Sequence, residues 1–461
     1  MRSRPNVYSC LALVAVVLMV CGFSSHVPAH VDELILVTAA PAYDPLAALK
    51  GEERFPRGAQ LMLAREGEMQ PLVSDFYATA DANVSFDATH LLFAGKRFAG
   101  EPWRIWELCL ADRSLRIVIS AETDVVRPLY LPGGRLVYAR RRSTGFQLEA
   151  ASLDRLPDRA DSADVLTLTY MQASAVPVDV LQDGRILFEA NFPLGQGSTP
   201  ELFLVYSDGS GVESYRCDHG VARWGGRQLA SGDVVFTHGA SLARFTSPLA
   251  TEVKVAAPVL APGSAYAGSI AETPSGDWLL SERDGANGHF KVSVWRAGQA
   301  KLHTVLERDA EDLVEPVLVL PRTAPNRHPS ALHDWTTANL LALDARQSRD
   351  GALTSPAAQV KLETQDSLGH PVTLGTSLVE SDGSFFVKVP GDRPIRFSLL
   401  DKTGATIRQE HGWFWIRRGE QRICVGCHVG PERAPENQVP AVLLRTTIPV
   451  DLSGAALPGG R

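Results

Sequence analysis

Residues Asp87–Phe93 read DATHLLF, and the same construction returns as GGRLVY at Gly133–Tyr138, DGRILF at Asp183–Phe188, SGDVVF at Ser231–Phe236 and SGDWLL at Ser275–Leu280. Each is a turn-forming group followed by a short apolar run. The Asp-Gly, Gly-Gly and Ser-Gly pairs supply the positive φ that tight hairpins demand, and the Leu, Val, Ile and aromatic residues after them favour a pleated strand. The mid-run residues Leu92, Val137, Leu187, Val235 and Leu279 are spaced 45, 50, 48 and 44 apart. Four-stranded propeller blades repeat at about that interval, whereas a β-sandwich, also built of short strands, has no reason to keep a steady period. A second β-like run precedes several of the turns, as in VRPLYLP, VPVDVL and VEPVLVL, so a further unit begins near Val314. The expectation is an all-β chain whose larger part is a β-propeller of five clear blades and a sixth.

Two of these stretches, FDATHLLFAGKR at Phe86–Arg97 and LVYSDGSGVE at Leu204–Glu213, resemble the repeats of TolB-like propellers. The resemblance spans roughly 54–322 and implies the fold; it says little about activity. From Pro321 the texture changes to PRTAPNRHPSALHDW, a proline-rich basic segment that reads as a linker or fixed loop. Beyond it AAQVKLETQ, GSFFVKVP and IRFSLLDKTG alternate apolar and polar residues between Gly and Asp turns. They predict a small antiparallel sheet module within 323–461.

The chain has 461 residues, 45% of them apolar, enough for a sizeable core and more than one domain. With 45 basic against 52 acidic residues its net charge is −7, and no basic stripe offers a footprint for nucleic acid. Arg2 and Arg4, the apolar run CLALVAVVLMVCGF and the small-residue ending at Ala29 read as a signal peptide over 1–29. The chain is therefore expected to be exported, to a periplasmic or extracellular location. A lipoprotein acylated on Cys21 is the lesser reading, because Val20 is bulkier than such sites want. The apolar run is shorter than the roughly 20 residues of a spanning helix, so the mature chain is expected to carry no stable membrane span.

Four cysteines remain after the signal, Cys109, Cys217, Cys424 and Cys427, which is no disulfide framework. The first two read as small buried apolar residues, with a bridge between them left open by their unknown separation. Cys424-Val-Gly-Cys427-His428 is different in kind. Two thiols at this spacing can add to the two vinyl groups of a haem while the adjacent imidazole ligates the iron from below. Zinc would want four ligands, yet no Cys or His follows His428 and only His411 lies close upstream. A thiol redox pair would open a helix in an α/β fold, and the flanking sequence does not read so. One covalent haem c on Cys424, Cys427 and His428 is the expectation.

The preceding Trp413, Phe414 and Trp415 are candidates to pack on a macrocycle, and Arg417, Arg418 and Arg422 to pair with its propionates; each also suits an ordinary strand and a solvated turn. His328 is the first choice for a sixth iron ligand, followed by His333 and His411, since Met62, Met69 and Met171 all lie far from the motif in sequence.

A TolB-like propeller followed by GWFWIRRGEQRICVGCHVGPERAPEN at Gly412–Asn437 is similar to the propeller-plus-haem region of hydrazine synthase alpha subunits. The resemblance implies a c-type haem on Cys424, Cys427 and His428 at which nitrogen chemistry occurs. Two departures stand against carrying the activity over. The synthase subunit has more than one haem, and this chain has one Cys-x-x-Cys-His; the family's active haem is associated with a Tyr shortly after the motif, where this chain has Glu432, its last tyrosine being Tyr266. Electron transfer with a redox partner protein is thus the first functional expectation. A haem enzyme acting on a small nitrogen or oxygen species is the second, and an interaction module with a structural haem or zinc the third. No Gly-x-Ser-x-Gly elbow, P-loop or Rossmann fingerprint supports another enzyme class.

Overall fold

A computed structural model of the chain describes residues 33–153, 165–194, 197–216, 218–256, 260–268, 270–348, 351–426 and 438–454. The signal segment 1–29, Cys217, Cys427, His428 and Glu432 lie outside these residues.

Each repeated turn proves to be the hairpin between the first and second strands of an antiparallel sheet. Val125–Leu131 turns at Gly133-Gly134 into Arg135–Arg142, and Ala175–Val180 turns at Asp183-Gly184 into Ile186–Leu194. In DATH no glycine is present, and Ala88 itself takes φ 57°, held there by Asp87, whose carboxylate accepts the Thr89 N–H at 3.1 Å. Between residues 35 and 318 the described strands form six sheets of four or five strands each. Their first strands, Ala78–Val84, Val125–Leu131, Ala175–Val180 and Trp224–Gln228, pack one beside the next, and Asp312–Leu318 packs against Ala78–Val84. Apolar side chains of adjacent sheets meet between them, with Leu92, Ile105, Leu136 and Tyr138 fully buried in one cluster and Leu187, Leu204, Val234 and Phe236 in another. This is a β-propeller.

The run near Val314 starts a unit that the chain finishes from its other end. Asp312–Leu318 pairs antiparallel with Ile35–Ala40, and Gln60–Arg65 and Glu68–Pro71 complete that sheet. The propeller therefore takes in a strand that precedes the expected 54–322. Closing the ring with a strand from each end removes two free sheet edges. Ile35–Ala40 is buried along its whole length and follows no turn pair, so it lacked the periodic mark by which the other units were read.

The segment after the ring is laid over the turn-bearing face. The Arg322 N–H donates to the Phe86 carbonyl at 2.8 Å, that of Asn326 to the Gln182 carbonyl at 2.9 Å, and the His328 ring stacks on Tyr206 with centroids 3.9 Å apart. Gly184, at φ 89°, lies under this strap, and a Cβ there would stand 2.2 Å from the Asn326 oxygen. Gly184→Ala is expected to cost about 1–2 kcal/mol for the backbone alone, with the clash added. The comparison is Gly232→Ala, at φ 92° with nothing within 4 Å of the added methyl group. Urea unfolding should show the first variant clearly weaker; equal losses would mean that the strap is not held at Gly184.

Residues 337–452 form two four-stranded sheets, Gln421–Cys424, Thr337–Ala342, Phe385–Pro390 and Val450–Asp451 in one, and Pro371–Leu378, Gln359–Gln365, Ile395–Leu400 and Thr406–Gln409 in the other. Leu340, Val360, Leu362, Val387, Ile395 and Ile416 share one core between them. The module is not wholly antiparallel as the sequence suggested: Gln421–Cys424 joins Thr337–Ala342 in parallel, and Val450–Asp451 joins Phe385–Pro390 likewise. Parallel pairing needs a long crossover, and the whole second sheet is threaded between the first pair of partners.

Candidate functional site

Cys424 ends the strand Gln421–Cys424, where it pairs with Ala342, and its N–H and C=O are committed to the sheet: the Cys424 carbonyl accepts the Leu343 N–H at 2.9 Å. The residue is half-buried beside Phe414 and Ile407 at the margin of the module core. Burial pushes its thiol above the ordinary range, against a smaller opposing pull from the Arg422 guanidinium. Ile423 before it is 64% exposed. The motif is thus launched from a rigid strand with a greasy side chain facing outward beside it.

The segment before that strand joins the module to the propeller. Residues alternate across it as in any extended chain: Phe414 and Ile416 enter the module core, while Trp415 enters the propeller among Leu129, Val137, Leu168 and Met171, 2% exposed. Tyr170 meets Trp415 edge-on at 6.3 Å. Arg417 is buried, paired with Asp392 at 2.6 Å and donating to the Tyr170 hydroxyl at 2.9 Å. Arg418 is exposed and pairs with the same carboxylate at 2.5 Å. Arg422 donates to the Val212 carbonyl, and Glu420 accepts the Gly211 N–H at 3.2 Å and the Arg417 N–H at 3.0 Å. Trp413 lies half-buried beneath the Arg396 guanidinium, 4.5 Å from the ring centroid.

Sequence reasoning had grouped Trp413, Trp415, Arg417, Arg418 and Arg422 around one macrocycle. The structure distributes them: Trp415 and Arg417 are spent on the propeller, Arg418 on Asp392 and Trp413 on Arg396. Arg422 alone keeps a buried nitrogen, Nη1, without a hydrogen bond, 3.6 Å from the Glu420 carboxylate. It stands two residues before Cys424, and a carboxylate presented from the motif side would satisfy it, which is the fit expected of a haem propionate.

His328, exposed on the strap, is tied to Tyr206. His333 has the direct link to the motif strand, with the Gln421 amide nitrogen donating to its Nε2 at 2.9 Å and its own N–H donating to the Gly419 carbonyl at 2.9 Å. His411 is exposed on the turn before Trp413. Among the described residues no three His, Cys, Asp or Glu side chains gather as a metal site. Cys109 is a free, half-buried thiol.

A second concentration of charge, on the propeller axis, was not read from the sequence. Asp81, Arg127 and Glu315 all lie on first strands, at φ 61°, 54° and 57°, where each strand slips register against its neighbour. Such bulges re-aim a side chain, here toward the axis. Arg54, buried, is bonded to both Asp81 and Glu315; Arg127 Nη2 lies 3.3 Å from Glu315 and its N–H donates to Asp81 at 2.9 Å; the Tyr43 hydroxyl donates to Glu315 at 3.2 Å. Burial pushes the Asp81 carboxyl up, but Arg54 and Arg127 together hold it below the usual range. A mark for these residues was present: one charged residue inside an apolar strand and followed by proline, as in VVRPLYL and LVEPVLV.

A sequence model of the hydrazine synthase alpha subunit middle domain matches residues 340–429, a stretch that opens in Thr337–Ala342 and closes just past His428. Hydrazine synthase subunit alpha of Kuenenia stuttgartiensis is 37% identical over 60 residues, 13% of this chain and 7% of that protein, so the match touches a small part of the relative's length. Among solved structures, Kuenenia stuttgartiensis hydrazine synthase superposes with a TM-score of 0.75 at 16% identity, covering 90% of this chain and 72% of the other. TolB from Acinetobacter baumannii gives a TM-score of 0.44 at 12% identity, covering 62% of this chain and 67% of its own. Among the described residues no helix is long and apolar enough to cross a membrane. The chain is an all-β propeller protein related to the alpha subunit of hydrazine synthase.

Proposed function

We propose that this chain is an exported redox protein carrying one covalent haem c on Cys424, Cys427 and His428, used on a small nitrogen or oxygen species. The observation that carries the reading is the match over 340–429: the family's middle domain includes the strand bearing Cys424 and runs through the complete Cys-x-x-Cys-His. A haem bound there supplies a one-electron couple and an axial coordination site. The chain's own part is to hold Cys424 on a paired strand, to offer the Arg422 Nη1 donor to a carboxylate, and to fix this strand against the propeller through Glu420, Arg422 and Arg417. Hydrazine synthesis itself is not proposed, because a single motif and Glu432 stand where the family resemblance implies further haem and a tyrosine.

Electron transfer with a redox partner is the second reading, and the link of His333 to Gln421 favours it, since that ring is placed beside the motif strand. Export rests on the signal reading of 1–29.

The test is a pyridine haemochrome spectrum of the exported protein after acid-acetone extraction. A c-type spectrum should stay with the polypeptide and weaken in Cys424→Ala and Cys427→Ala. Carbon monoxide then separates the two readings: ready binding to the reduced protein supports small-molecule chemistry, and refusal relieved by His333→Ala supports electron transfer. Protein made with working c-type maturation yet devoid of haem would end both.

A further inference from the structure

One cavity occupies the propeller axis, and each of the six sheets or its adjoining turn contributes to its wall, among them Asp81, Arg127, Pro177, Arg227, Ile270 and Glu315. Its volume is about 60 Å³. A single water needs roughly 10–15 Å³ by this measure, so the space suits a group of three to four heavy atoms.

The two ends of the channel differ. One is stoppered by the segment carrying Tyr43 and Arg54, where two carboxylates and two guanidiniums neutralise one another. At the other end, where the first strands run into their turns, the charges do not balance. Arg227 shares Asp179 at 3.3 Å, whose second oxygen is already taken by the Gln228 N–H at 2.8 Å. Arg322, reaching in from the strap, donates to the Val84 carbonyl at 3.1 Å and stacks on Phe86 at 4.4 Å, with no carboxylate of its own. Burial first, and then repulsion from Arg227, lower its pKa to about 10, with only Asp179 pulling the other way. Half-buried guanidiniums without matching anions are costly, and the deficit here is one negative charge beside a cavity.

We infer that this end of the propeller channel binds a small planar oxyanion or carboxylate between Arg227 and Arg322. The planar guanidinium fork accepts two coplanar oxygens at once, which an ammonium does not, and a planar anion of three or four heavy atoms fills the available space. A metal cation is the wrong partner, because Asp81 and Glu315 are already occupied by Arg54 and Arg127. The site is independent of the haem reading, since no residue of the motif takes part.

The test is calorimetric titration of the full chain with sodium nitrate and, separately, sodium formate, at ionic strength held constant with sodium chloride. Saturable one-to-one binding of at least one of them is expected, weakened tenfold or more in Arg227→Gln and in Arg322→Gln. The stronger arm identifies an inorganic oxyanion or a carboxylate as the ligand class. Should Arg322→Gln fail to fold, Arg227→Lys keeps the charge but loses the fork and is expected to bind several-fold more weakly. Absence of saturable binding to both anions, or equal binding by wild type and the Arg227 variants, overturns the inference.

Discussion

Trp415→Ala is expected to release the second module from the propeller. Its indole is 2% exposed and surrounded by propeller residues, although the chain on either side of it belongs to the module core. Removing a buried indole costs about 3–5 kcal/mol, transfer and cavity together. The loss falls on the docking contact because Phe414 and Ile416 continue to hold the strap to its own module. The remaining links, from Arg417 to Tyr170, Glu420 to Gly211 and Arg422 to Val212, are few and polar, each worth roughly 0.5–1.5 kcal/mol net. Two transitions should therefore appear in thermal unfolding, and the linker around Pro321–Trp335 should become open to proteases. Trp413→Ala is the control, since that ring is half-buried under Arg396 and loses only about 0.5–1 kcal/mol of cation–π attraction along with part of its burial. A Trp415→Ala protein that still melts in one transition close to wild type would show that the indole does not hold the domains together.

Trp415 also marks where sequence reasoning reaches its limit. The propeller was legible because its signal is local and repeated: a turn that needs positive φ, then an apolar strand, at an interval of 44 to 50 residues. Strands such as VRPLYLP and VPVDVL were placed correctly on the same grounds. Ile35–Ala40 carries no such mark, and its partner in Asp312–Leu318 is separated from it by nearly the whole ring, so the pairing is a tertiary fact. The aromatic and basic residues around Trp413–Arg422 suggested a pocket by composition alone. An alternating strand sends neighbours to opposite sides, and which side meets the propeller depends on a docking that no short window contains. Cys424 was legible as chemistry because the motif is complete in five residues, but its parallel pairing with Ala342 was not.

The largest loss inside the propeller is expected from Arg54→Met. Its guanidinium is bonded to Asp81 and Glu315 at once, and both carboxylates are shielded from water. Removing one partner from a buried ionic cluster costs about 3–5 kcal/mol, because what stays behind is an uncompensated charge. Arg127 would remain as the lone cation for two carboxylates, at 3.7 Å from Asp81 and 3.3 Å from Glu315. The pH dependence identifies the cause. In the wild type Asp81 is held below its unfolded pKa, so its contribution is fully present above about pH 4 and is lost only as the pH falls through the lower folded value. Without Arg54 the effect of burial is no longer outweighed, and the folded carboxyl rises above its unfolded value. The variant then takes up a proton on folding, and its stability declines as the pH rises through that raised pKa. The gap between wild type and Arg54→Met, measured by urea unfolding, should consequently be widest near pH 8 and narrow toward pH 5. Adding Asp81→Asn to Arg54→Met should recover part of the loss, since it removes the stranded charge. A gap that stays constant with pH, with no recovery in the double variant, would mean that Arg54 stabilises the propeller through its packing on Phe55 and Tyr43, whose rings lie 4.9 and 5.8 Å from it, and not through its charge.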